Sequence, residues 1–387
     1  MPGFHIAPLR LPAAALTSTL LLTTALTGGA TPAQASTSSA QTAVVSMGDS
    51  FISGEAGRWQ GNSNTQSGSR SGTDRAYSGG GYDPAKIYGS TYASGCDRSD
   101  SAEVLSATGI ADVAINLACS GATTDHVFRA VNGGESLKGE SPQADRLAAV
   151  AAQYRVELIA LSIGGNDLGF SDVITNCVED YTILYSYCHD DQGKKVDDRM
   201  DSAMAGIAKS VQEIRAVMSS TGYSTGDYRI VLQSAPSPIP RSSENRYSQS
   251  GWSRLTTGGC PFWNKDADWA RDEFIPEYAA AVKEVAESEG VQFLDLQDML
   301  QGREVCAKTT RLATSSQGPS AATSEWARFL VSGVAQGTLQ ESFHPNYYAQ
   351  RALGRCLALI HAKPTGDYAC QNTAGKGDSG MYLTGVS

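Results

Sequence analysis

Val44-Val45-Ser46-Met47-Gly48-Asp49-Ser50-Phe51 is a short apolar run that breaks into a Gly-Asp-Ser turn. A buried strand that ends in glycine and then presents a serine delivers a hydroxyl to a pocket rim. Glycine permits the tight turn, and Phe51-Ile52 begins a helix whose amide N–H groups point at the site. Alone, the triplet is also ordinary turn and N-cap chemistry, so the rest of the chain decides its meaning.

Four further apolar, β-branched runs join the first at residues 43–47: they occupy 113–117, 158–163, 228–232 and 291–296. Most are continuous rather than alternating, which is the pattern of strands buried on both faces of a parallel sheet. Helical patterns lie between them. Ser141-Pro142 reads as an N-cap with proline at the first helical position, leading residues 144–154. Val196, Met200, Met204, Ile207, Val211, Ile214 and Met218 recur every three or four residues along one face of a long amphipathic helix. A further helix is predicted over 268–289 with a kink at Pro276, and a last one after Pro345 through Ala349, Leu353 and Leu357. Such alternation predicts an α/β fold with a doubly wound, five-stranded parallel sheet.

Three connections are longer than that sheet needs. Residues 57–95 are rich in Gly, Ser, Tyr and Asn without a period and read as mobile. Residues 176–195 and 235–264 carry cysteines and aromatic side chains and read as ordered walls or lids. Residues 371–387 are small and polar and read as a tail.

The first 35 residues read as a signal peptide. Arg10 precedes an apolar stretch from Leu11 to about Leu26, and Ala33-Gln34-Ala35 offers small residues for cleavage before Ser36. Residues 36–387 are then one exported domain, large enough to bury a sizeable core. The net charge is −10, and losing the leader with its single cation makes it more negative. So acidic a chain is a poor partner for nucleic acid or anionic membranes. All eight cysteines (Cys96, Cys119, Cys177, Cys188, Cys260, Cys306, Cys356, Cys370) follow the cleavage point. An even count in an exported chain points to disulfides, and pairing between sequence neighbours would clip each irregular stretch. Zinc is a poor alternative: paired Cys-x-x-Cys motifs are lacking and the mature chain keeps only His126, His189, His344 and His361.

Ligands of open α/β sheets bind beyond the strand ends, and three later stretches fall there. They are Ala118-Cys119-Ser120-Gly121-Ala122, Gly164-Gly165-Asn166-Asp167 and Glu341-Ser342-Phe343-His344-Pro345. Together with Ser50 they supply what acyl transfer needs: an attacking hydroxyl, an imidazole to take its proton, and N–H groups for the oxyanion. Gly48-Asp49-Ser50, Ser120-Gly121, Gly164 to Asp167 and His344-Pro345, in this order, resemble the GDSL esterase and lipase family, also called SGNH hydrolases. The anchors span almost the whole mature chain, and its leader and cysteine-bearing loops resemble those of secreted actinobacterial members. The resemblance implies a flavodoxin-like sheet of order 2-1-3-4-5. It also implies Ser50 as nucleophile, His344 as general base, and Ser50 N, Gly121 N and the Asn166 amide as oxyanion hole.

One position departs from the family pattern, which has Asp three residues before the histidine where this chain has Glu341. Either Glu341 completes a triad or a backbone carbonyl orients His344. The Gly-x-Ser-x-Gly elbow of α/β-hydrolases is absent around Ser50. The expected activity is a secreted, cofactor-independent serine ester hydrolase of EC 3.1.1 type, an esterase, lipase or phospholipase. It is expected to be a monomer acting on a small-molecule or lipid ester, with transient contact to a lipid interface. A carbohydrate acetyl or feruloyl esterase is the alternative, and an inactive binding module on the same fold is the reading from another class.

Overall fold

The computed structural model describes residues 40–64, 72–331 and 337–386. The leader expected over 1–35 lies outside the described residues. The five strands read from the sequence are present as β1 (Thr42–Gly48), β2 (Val113–Asn116), β3 (Arg155–Ser162), β4 (Arg229–Gln233) and β5 (Gln292–Asp295). All run parallel in the order β2-β1-β3-β4-β5. β1 lies between two neighbours, with Val45 opposite Ile115 on one side and Ile159 on the other.

Among the described residues the sheet has seven strands, not five. β6 (Tyr368–Gln371) adds parallel to β5, and β7 (Tyr382–Gly385) returns antiparallel to β6, so the sheet is not wholly parallel. Part of the expected tail at 371–387 is therefore sheet edge. β7 is the edge strand and is mostly exposed, and β6 beside it is mostly half-buried, so neither leaves a continuous apolar run.

Among the described residues five helices reach ten residues or more: α1 (Gln143–Gln153), α2 (Phe170–Glu179), α3 (His189–Ser220), α4 (Ile275–Glu289) and α5 (Tyr347–His361). Val45, Met47, Ile159, Leu161 and Leu232 pack against Leu147 of α1, Ile207 and Ile214 of α3 and Val282 of α4. On the opposite face Val44, Leu158, Val231 and Leu294 pack with Leu353, Leu357 and Ile360 of α5. Each such Leu or Ile contributes about 1.5–3 kcal/mol by leaving water, which is why the strands are apolar throughout. Among the described residues no helix is long and apolar enough to cross a membrane.

Several boundaries differ from the sequence reading. Pro142 is the residue before α1 rather than its first turn. Pro276 opens α4 instead of kinking it, and a π-turn (Ala270–Phe274) joins α4 to a short helix at Asn264–Trp269. Proline lacks the N–H that a first turn leaves unpaired, so it is tolerated there. The wall expected at 176–195 is mostly helix: α2 runs to Glu179, a π-turn follows at Asp180–Leu184, and α3 begins at His189. Its polar His-Asp-Asp-Gln start gives no apolar period to read. Residues 57–63 of the first long connection are mostly buried, with Trp59 fully buried beneath the guanidinium of Arg328 at 3.6 Å, whereas 78–83 are exposed.

Disulfides join Cys96 to Cys119, Cys177 to Cys188, Cys260 to Cys306 and Cys356 to Cys370. The last ties β6 to α5. The first fastens the segment after Ser50 to the Ser120-Gly121 turn.

Candidate active site

The turn after β1 is built around Gly48. Its φ is +134°, and a Cβ there would run into the Ser162 carbonyl of β3, so only glycine fits. Gln143 of α1 clamps Gly48 on both sides, accepting from Gly48 N at 2.7 Å and donating to Gly48 O at 2.8 Å. Asp49 caps the helical turn Ser50–Ser53 by accepting from Phe51 N at 3.1 Å. Burial pushes the Asp49 carboxyl up to about 7. Gln350 of α5 donates to Phe51 O at 2.8 Å and holds the turn from below. Ser50 thus sits on a short element fixed on three sides.

His344 arrives from the other end of the chain. Phe343, buried and at φ +62°, turns the backbone just before it; a non-glycine residue rarely adopts that conformation, and here the surroundings impose it. Phe343 N donates to Arg328 O at 2.7 Å, and Arg328 N donates to His344 O at 2.9 Å. Asn346 N donates to Trp326 O, so the segment 326–328 grips the histidine from both sides.

These two constructions bring His344 Nε2 to 2.6 Å from Ser50 Oγ. The opposite nitrogen, Nδ1, lies 3.1 Å from the carbonyl oxygen of Ser342. A carbonyl only accepts, so Nδ1 carries the proton and Nε2 presents its lone pair to the serine hydroxyl. The Ser342 peptide is itself anchored, its hydroxyl accepting from Val331 N at 2.9 Å. Burial depresses the His344 pKa to about 4, which keeps the imidazole neutral and basic at physiological pH.

Glu341 makes no hydrogen bond or ion pair with the imidazole, although its charge works against the burial that lowers the His344 pKa; of the two alternatives the geometry matches the backbone carbonyl. Its Oε1 accepts from Tyr88 OH at 2.9 Å and faces Arg58 Nε at 3.6 Å, while Oε2 accepts from Thr338 N at 3.0 Å. It is the N3 residue of a capping box, and its carboxylate serves that turn and the buried Arg58. Glu341→Gln is therefore expected to leave kcat within ~10-fold of wild type while lowering stability by about 1–3 kcal/mol, the cost of disturbing a buried hydrogen-bonded charge. Parallel kinetics and thermal melts check it; a kcat loss of ~100-fold at unchanged stability would restore Glu341 to the reaction.

Asn166 opens a short helix at Gly165–Leu168 after β3 and faces the same pocket as Ser50 and His344. One N–H of its amide donates to Ala122 O at 2.8 Å, and the second has no partner among the described residues. Gly121 lies on the adjacent loop at φ +83°, with Lys138 Nζ 4.0 Å from where a Cβ would be. Asp167 turns the other way, accepting from Thr124 N and from Thr124 Oγ1 at 2.7 Å, and so locks that loop to β3. The other histidines stand elsewhere: His126 bonds Thr123, His189 bonds Asp266, and His361 ends α5. Among the described residues no group of His, Cys, Asp or Glu is arranged to hold a metal ion.

Beside Ser50 an apolar pocket opens between α2, the 235–239 segment and the helix–π-turn before α4. Phe170, Val173, Ile174, Phe262, Trp269 and Phe274 line it. None of these belongs to the four motif blocks. Their signal in the sequence was only the aromatic content of the loops and the apolar face of α2.

The GDSL-like lipase/acylhydrolase family model matches residues 47–352. The chain belongs to this family. The match takes in Ser50, Gly121, Asn166 and His344. No curated protein matches the sequence. Among solved structures, this GDSL-family chain is similar to an extracellular lipase from Streptomyces rimosus at 20% identity and TM-score 0.44, covering 83% of this chain and 100% of that one. It is also similar to phospholipase A1 from Streptomyces albidoflavus at 20% identity and TM-score 0.43, covering 83% and 99%. A carbohydrate acetylesterase from Sinorhizobium meliloti is more distant, at 13% identity and TM-score 0.29, covering 66% and 84%.

Proposed function

We propose that the protein is a secreted serine hydrolase of carboxylic esters whose acyl group is apolar, with lipids or phospholipids as the substrate class. The observation that carries this reading is the 2.6 Å contact of His344 Nε2 with Ser50 Oγ at the mouth of an apolar pocket. Ser50 Oγ attacks the ester carbonyl carbon as its proton passes to Nε2, and the oxyanion forms among Ser50 N, Gly121 N and the Asn166 amide. Collapse expels the alcohol, which takes the proton from Nε2, and leaves an acyl-enzyme. Water then attacks with His344 again as base, the acid departs, and Ser50 is regenerated. His344 is held by the Ser342 carbonyl in place of a carboxylate, so the working unit is a dyad with a backbone helper. The sequence leader and four disulfides support export. The pocket, with its aromatic and aliphatic lining, favours a hydrocarbon chain over a sugar acetate.

A series of p-nitrophenyl esters tests the substrate class. Each methylene buried is worth about 0.8 kcal/mol, so kcat/KM is expected to rise roughly fourfold per methylene from acetate until the pocket is filled. Phosphatidylcholine should be cleaved faster than acetylated or feruloylated xylan. A profile that peaks at acetate, with xylan preferred, would overturn the acyl-lipid reading and favour the carbohydrate esterase.

A further inference from the structure

Glu55 stands on the Nε2 edge of His344, and no step above uses it. It follows the turn that carries Ser50, is fully buried, and brings Oε2 to 3.7 Å from His344 Nε2. The same oxygen accepts a hydrogen bond from Ser120 Oγ. Ser120 in turn accepts from Gln340 Nε2 at 2.6 Å. Oε1 has no partner among the described residues. A buried carboxyl with an unpartnered oxygen is unfavourable, and a fold whose only need was packing would place an apolar side chain there.

The chemistry of the dyad leaves a role for such a group. The Ser342 carbonyl fixes the tautomer but carries no net charge, whereas the base becomes a cation each time it takes a proton. In a triad a carboxylate offsets that charge from the Nδ1 edge. Here the acid nearest in sequence, Glu341, is held by Arg58, Tyr88 and Thr338. The carboxyl that does meet the imidazole comes from the opposite edge.

We propose that Glu55 is the positioning residue of this site, its carboxylate stabilising the His344 imidazolium from the Nε2 edge and tying the base, through Ser120, to the loop that carries Gly121. The inference rests on the acyl-transfer reading. Glu55 gives and takes no proton in the step: the proton leaves Ser50 Oγ, rests on Nε2 and passes to the departing alcohol.

The role has a pH signature. Burial pushes the Glu55 carboxyl up to about 8, so in the resting enzyme its charge appears on the alkaline side of neutrality. The groups that face it are Ser120, Gln340, Glu341 and Lys138, together with His344, Asp49, Asp97 and Tyr88. Lys138 favours the carboxylate and Glu341 opposes it. Asp49 and Asp97 are themselves pushed up to about 7, so wild type alone does not isolate Glu55 and the variant must.

The test is kcat and KM for p-nitrophenyl butyrate from pH 6 to 10, on wild type, Glu55→Gln and Glu55→Asp, after a fluorophosphonate probe has been shown to label Ser50 in wild type. Wild-type kcat is expected to climb about tenfold through pH ~8. Glu55→Gln should lose that climb and fall ~10–100-fold in kcat at pH 9 with KM unchanged, while Glu55→Asp recovers part of the rise. Wild-type kcat and profile in the Gln variant would overturn the proposal. So would a loss that is equal at every pH and tracks a lowered melting temperature, since that is packing. Failure of Ser50 to label would remove the hydrolase reading and this role with it, whereas labelling with an unaltered Gln variant removes only the role.

Discussion

Ser50→Ala is expected to lower kcat for any ester substrate by ~10⁴-fold or more, because the atom proposed to attack the carbonyl is gone. The geometry makes the expectation specific. Ser50 Oγ is the hydroxyl within hydrogen-bond reach of His344 Nε2, and the imidazole is fixed in the tautomer that accepts from it. Loss of a nucleophile generally removes almost all of the rate beyond what binding and the oxyanion hole supply. The fold should be indifferent. Alanine is a good helix former at the start of the Ser50–Ser53 turn, Asp49 still caps it, and the lost hydrogen bond is worth about 0.5–1.5 kcal/mol. Melting curves and the rate are therefore measured on the same preparation. Activity within ~10-fold of wild type, in a variant that melts normally, would mean that Ser50 does not attack the ester.

The strands and the site differ in how much of each was legible. β1, β3, β4 and β5 are buried along most of their length and carry apolar runs, and β2, half-buried at the sheet's other edge, still carries Val113-Ala114-Ile115. β6 and β7 do not, because β6 is mostly half-buried between β5 and β7, and β7 is mostly exposed at the sheet edge. Ser50, Gly121, Asn166 and His344 are visible as motif blocks since each stands at a strand end or on a turn that needs glycine or proline beside it. Glu341 was read by its distance from His344 in sequence, yet the left-handed turn at Phe343 separates the two side chains and sends the carboxylate to Arg58 and Tyr88. Those partners come from the glycine-rich segment after Ser50, whose lack of period hid how firmly Trp59 and Tyr88 are packed. Gln143 and Glu55 were invisible for a similar reason. A glutamine clamping a glycine peptide 95 positions away has no local signature. An acid in Ser53-Gly54-Glu55-Ala56-Gly57 was the available clue: a lone charge among small residues one helical turn past the nucleophile.

Asn166→Ala is expected to lower kcat by roughly 10²–10³-fold with KM nearly constant, the usual consequence of losing one oxyanion donor. The split follows from when the bond forms. In the bound ester the carbonyl oxygen is neutral and planar, and the amide gains little by donating to it. As Ser50 attacks, the oxygen becomes an anion and moves toward the donors, so the Asn166 N–H strengthens its bond in the transition state and not before. The hydrogen bond to Ala122 O matters here, because it holds the amide in place before substrate arrives and leaves the second N–H unpaired among the described residues. Alanine loses both: the oxyanion donor and the strut to the loop between Gly121 and Thr124. Asp167 still holds that loop through Thr124, so the pocket should keep its shape and KM with it. Asn166→Asp should be at least as damaging, since a carboxylate keeps the size of the side chain while turning a donor into an acceptor that repels the oxyanion. Steady-state kinetics on both variants decide the matter. If KM rose and kcat held, Asn166 would be a substrate-binding group. If Asp were tolerated, its contribution would be the shape of the turn rather than the N–H.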